Sequence, residues 1–207
     1  MTEPPLTYTP FDEPYLGRQP VLIFDHMISG ALEANLTLAK STHDRELSSL
    51  QIAGTQIIPH GISLALSIRE LVRQGYLLAG EVLVRPLMER AAVISYLAEN
   101  PAKTTLWEAG WPYKSRPSLK VMLAAMAQGS TEFADIEDVA SQIVKEHNAL
   151  VHADPAGANR HAAMIGGRLS YSVSKSTDEP ERCDRLCLEA MCWLSVLTSR
   201  ASAIYGR

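Results

Sequence analysis

Two groups of residues in this chain have the types and spacing to do chemistry. The first is Asn148 and His152, within KEHNALVHADPAG. An imidazole with an ordinary pKa is the natural general acid or base at neutral pH. Asn148 lies four residues earlier, one helical turn away on the same face, where an amide can orient the ring. His147 is five residues before His152, about 140° round the helix. It falls in with Ile143 and Val144 on the apolar stripe and reads as a core histidine. The second group is Glu81, Arg85 and Glu89. A spacing of four drifts only about 40° per step, so the three form one line along a helix. Their neighbours are Val82, Leu83, Val84, Leu87, Met88, Ala91 and Ala92. Charges in such surroundings are costly unless paired and hydrogen-bonded. Pro86 also frees the carbonyl of Val82 for another donor. Two readings are open. The line is a structural ion pair, Arg85 with Glu89 or Glu81, or it is the polar wall of a site.

Other constellations give less. His147, His152, Asp154 and His161 suit zinc or iron by type. No H-E-x-x-H or finger-spaced cysteine pair accompanies them, so no metal or other cofactor is expected. Cys183, Cys187 and Cys192 read as small buried residues of the last helix. Lys114, Arg116 and Lys120 in YKSRPSLK could meet phosphate but read better as a solvated loop. Trp107 and Trp111, four apart, read as packing against the bundle.

The elements that must position these residues follow from periodicity. Residues 1–19 hold four of the twelve prolines and are expected to form an extended arm, loose or laid over the domain. Residues 20–207 then form a single helical domain. Helix one runs from about Pro20 to Lys40. Ser41 or Thr42 caps a second helix, which Pro59-His60-Gly61 should kink or split and Gly75 should stop. Tyr76 to Glu99 is apolar nearly all round and should be the buried central helix. A short helix and loop follow, then a brief helix capped by Ser118 and ending at Gly129. The next begins between Glu132 and Ile136 and carries Ile136, Val139, Ala140, Ile143, Val144, Leu150 and Val151 on one face. Alternation in Leu169, Tyr171 and Val173, after Gly166-Gly167, predicts a small β-hairpin. Asp178 and Glu181 have capping-box spacing before a last helix from about Glu179 to Tyr205. The expected fold is therefore all-α, a bundle of about six helices with a small hairpin insert before the C-terminal one.

Composition narrows the function classes. A 207-residue chain with 46% hydrophobic and 20% charged residues can bury a sizeable core. The net charge of -4 argues against wrapping nucleic acid by bulk charge, though not against a local basic site. No apolar run is long enough to span a bilayer, since Glu81, Arg85 and Glu89 interrupt the best one, so no membrane association is expected. The acidic start and the three helical cysteines predict a reduced, cytoplasmic protein.

N-x-x-x-H at a helix end in an all-helical domain resembles the HEPN superfamily. Its members commonly carry an arginine, four to six residues, then a histidine, often with a polar residue after the arginine. Asn148 takes the polar position and His152 the histidine position, while His147 stands where the arginine should be. Lys145 and Arg160 are nearby substitutes for that cation. LVRPLMERAAVISYLAENP also resembles uncharacterised bacterial helical families with an R-x-x-x-E helix and a later histidine segment, which sets Arg85, Glu89 and His152 on their pattern. The likeness extends over residues 76–156. It implies a metal-independent ribonuclease site across a homodimer interface, in bacterial defence or a toxin–antitoxin setting. RNA and a partner protein are the implied partners. His152 would be the acid/base residue, Asn148 its orienter, and Arg85 or Lys145 the phosphate-facing cation. The alternative is a non-catalytic helical binding or scaffold protein, with His152 enclosed in a structural Arg85–Glu89–His152 network.

Overall fold

A computed structural model describes residues 13–127, 136–152, 154–155, 162–165, 168–171 and 175–206. Among the described residues are seven α-helices: α1 (Gln19–Thr42), α2 (Ser49–Arg73), α3 (Leu77–Glu99), α4 (Thr104–Glu108), α5 (Leu119–Ala127), α6 (Ile136–Val151) and α7 (Pro180–Tyr205). A 3-10 turn, Pro101–Lys103, joins α3 to α4. About six helices are expected, and the short helix expected after the central one is α4, a single turn. Two four-residue strands, β1 (Ala162–Ile165) and β2 (Arg168–Tyr171), pair antiparallel with Ala162 opposite Tyr171 and Ile165 opposite Arg168. The bundle itself is all-helical. Gly129 and Gly166-Gly167 lie outside the described residues.

The helix ends show which local signals hold. Pro20 is in the first turn of α1. Ser48, not Ser41 or Thr42, caps α2. Its hydroxyl accepts from the Gln51 N–H at 3.3 Å, and the Gln51 side chain returns a bond to the Ser48 N–H at 3.0 Å. The Ser41 and Thr42 hydroxyls instead turn back on α1, donating to the carbonyl of Leu38. Gly75, at φ +79°, ends α2 in the left-handed region that glycine tolerates. Ser118 caps α5 through the Val121 N–H. The Asp178 cap is not formed. Glu179 is the N-cap of α7, its own side chain makes no cap bond, and its N–H reaches the Tyr15 hydroxyl at 3.3 Å. Pro180 presets the first turn.

Pro59 does not split α2, which is continuous through it. Packing on both sides of the proline holds the helix together: Ile57, Ile58, Gly61, Ile62 and Ala65 are all buried. Gly61 lets α7 come close. A Cβ built there would stand 2.5 Å from Leu197 Cδ2, and one on Gly54 would stand 2.6 Å from the Tyr205 hydroxyl. α3 is the central helix, as its all-round apolarity predicts. Eleven of its residues are buried, with Val84, Leu87, Met88, Ala91, Ala92, Ile94 and Leu97 sealed from solvent.

Residues 1–12 lie outside the described residues. The described end of the arm is laid against the start of α7. Tyr15 is buried and donates to the carbonyl of Ser176 at 2.6 Å. Arg18 holds Asp184 with two bonds, at 2.7 and 2.5 Å. Arg69 of α2 pins α1 in the same way, through Asp25.

At the other end of α7, Tyr205 donates to the Gln51 carbonyl at 2.5 Å, and burial pushes its phenol up from 10.0 to about 12. The folded state therefore holds this proton more tightly than the unfolded chain. The stabilisation is complete below about pH 10 and is lost as pH rises through about 12. Urea midpoints measured across that interval should fall. Tyr205→Phe should flatten the fall while leaving the share due to Tyr15, whose phenol burial also raises.

Candidate functional site

The polar line on α3 is a seam onto which three other parts of the chain attach. Glu81, nearest the helix start, receives two bonds from Arg182 of α7, at 2.7 and 2.8 Å. Both side chains are nearly enclosed, 13% and 11% exposed. Arg85 gives Nε to Glu89 Oε1 at 3.2 Å and Nη1 to Asn148 Oδ1 of α6 at 2.7 Å. The other carboxylate oxygen of Glu89 meets Arg116, in the loop after α4, at 3.6 Å. The Arg85–Glu89 ion pair is present and part-buried rather than on a solvated edge.

The sequence-derived residues separate into two environments. Arg85, Glu89 and Asn148 come together. His152 does not join them. It follows the last turn of α6, its backbone N–H still bonded to the Asn148 carbonyl at 2.9 Å, and its side chain is exposed. The enclosed Arg85–Glu89–His152 network is therefore corrected: Asn148, not His152, brings α6 to the arginine. Lys145 is exposed as well. Arg160 and His161 lie outside the described residues.

His147 is buried, as its place on the stripe predicts, but it is not merely apolar filling. Its Nε2 is 2.6 Å from Glu189 Oε1 of α7, while its Nδ1 is buried without a hydrogen-bond partner among the described residues. With Glu81, Arg185 and Glu146 these residues line a cleft of about 180 Å³ between α3, α6 and α7. No group of three side chains fit to hold a metal ion occurs among the described residues.

Glu189 and Arg182 are the site residues that sequence reasoning missed. Both stand on the last helix, far along the chain from their partners, and only the fold brings them together. Of the cysteines, Cys183 and Cys187 are buried as expected, while Cys192 is exposed. The bond from Cys183 and burial push the Cys187 thiol up, while the same bond to Cys187 holds the Cys183 thiol down. A wider cleft of about 650 Å³ between α1, α2 and α7 has no carboxylate, histidine or basic side chain in its lining. No helix among the described residues is long and apolar enough to cross a membrane. Comparison of the chain with protein-family models, with curated proteins and with solved structures finds no match.

Proposed function

We propose that this chain is a non-catalytic helical binding module in which Arg85, Glu89 and Asn148 hold α6 against α3. The supporting observation is that the Arg85 guanidinium is already committed. One edge faces a carboxylate, another an amide oxygen at 2.7 Å, and only 17% of the side chain is exposed. A cation that stabilises a phosphoryl transition state must offer donors aimed at the developing charge. Here an incoming phosphate would have to displace Asn148 and approach Glu89.

A second reading, RNA binding or cleavage in the HEPN manner, is favoured by one feature. The exposed His152 lies one turn beyond Asn148, whose amide touches Arg85. In that reading His152 is the acid/base, Asn148 its orienter and Arg85 the cation held by Glu89, with a second copy completing the site. A cytoplasmic location and a role in bacterial defence or a toxin–antitoxin pair belong to the same reading.

One experiment separates the two. Mixed RNA is incubated, with chelator present, with the protein and with its His152→Ala and Arg85→Gln variants. The binding-module reading expects no cleavage that depends on His152. General acid–base catalysis contributes on the order of 10²–10⁴ in rate. A loss of that size in His152→Ala would overturn the binding-module reading in favour of the nuclease.

A further inference from the structure

We propose that a cleft between α2, α3 and the loop after α4 binds a small organic anion bearing a planar ring, of which a nucleoside monophosphate is the simplest example. The cleft has a volume of about 340 Å³, and its lining includes Gln56, His60, Arg90, Trp107, Trp111 and Arg116. Two guanidinium groups, Arg90 and Arg116, line the cleft. Arg116 meets Glu89 at 3.6 Å, and Arg90 forms no ion pair among the described residues. Among those residues the lining holds no carboxylate, on a chain whose net charge is -4.

The donors are arranged for an anion. Arg90 gives its Nε–H to His60 Nδ1 at 3.2 Å. That leaves its two Nη groups without a hydrogen-bond partner among the described residues. With Nδ1 accepting, His60 carries its proton on Nε2, a further donor. Arg116 is half exposed, and its contact with Glu89 is long, at 3.6 Å. A phosphate or carboxylate bridging Arg90 and Arg116 would gain charge-assisted bonds that neither arginine has now.

The aromatic wall supplies the second half of the ligand's chemistry. Trp107 and Trp111 pack against the core while still lining the cleft. Trp111 has φ 53°, in the left-handed region where a bulky residue is uncommon, directly after Gly110 at φ 75°. Its N–H bonds the Leu106 carbonyl at 2.9 Å, which fixes the turn and keeps the indole at the cleft. Indole and guanidinium planes both stack well on flat rings. The volume is at the lower end for ligand pockets, which suits one nucleotide-sized molecule rather than a polymer. Neither His152 nor Asn148 lines the cleft, while Arg116 does and is also one attachment of the α3 seam.

The test is a titration of the full chain with AMP, followed by tryptophan fluorescence and calorimetry. Inorganic phosphate and a single-stranded oligonucleotide are run beside it. Saturable quenching with a Kd of about 0.1–1 mM is expected. Arg90→Gln and Arg116→Gln should each weaken it about tenfold, with unchanged melting curves. Arg116 is half exposed, so its variant keeps the test valid if Arg90→Gln disturbs α3. Four outcomes overturn the proposal: no saturation by about 10 mM AMP, equal binding of phosphate, which removes the ring, much tighter binding of the oligonucleotide, which removes the small ligand, or wild-type binding by both variants.

Discussion

Arg182→Ala should be among the most destabilising single changes in this protein, by about 3–5 kcal/mol. The substitution leaves Glu81, 13% exposed, without its two-bond partner in the middle of the bundle. Removing one member of a buried pair costs more than the pair is worth, because the remaining charge stays desolvated. The double variant Glu81→Leu/Arg182→Met should therefore recover most of the loss. Urea denaturation of Arg182→Ala and of the double variant measures this. If Arg182→Ala unfolds within about 0.5 kcal/mol of the parent, as an ordinary surface change would, the seam does not hold α7 to α3.

Leu197→Ala is the second. Leu197 is fully buried and fills the space that Gly61 leaves on α2. Deleting the isobutyl group should cost about 2–5 kcal/mol through lost burial and a residual cavity. Gly61→Ala alone should also destabilise, by about 1–3 kcal/mol, because the new methyl would meet Leu197 at 2.5 Å. Together the two changes should cost clearly less than their sum, since the methyl then occupies space the leucine has vacated. Simple additivity in chemical denaturation would show that the two positions do not share that space.

Much of the fold is legible in the sequence because its signals are local. The start of α1 at Pro20, the stop at Gly75, the Ser118 cap and the all-round apolarity of α3 each depend on residues within a turn or two. The line Glu81–Arg85–Glu89 is legible as a network for the same reason: its spacing and its apolar flanks are contiguous. Who completes the network is not. Asn148 is 63 residues from Arg85, and Arg182 is 101 from Glu81. No periodicity links such positions until helices have packed. His147 shows the same limit, since its stripe position predicts burial but not Glu189. Two local rules also gave way to tertiary packing. Pro59 does not split α2, which is continuous through it, and the chain before α7 is held by the Tyr15 hydroxyl, which accepts from the Glu179 N–H, in place of an Asp178 cap.

The three attachments along α3 also fix where this chain can change length. Each inserted or deleted residue in an α-helix turns everything beyond it by about 100°. A one-residue change between Glu81 and Arg85 would leave Glu81 facing α7 and swing Arg85 and Glu89 away from α6 and the Arg116 loop together. Helix α3 thus acts as the gauge of the bundle, and a change of length within it should cost more than one in the connections around it.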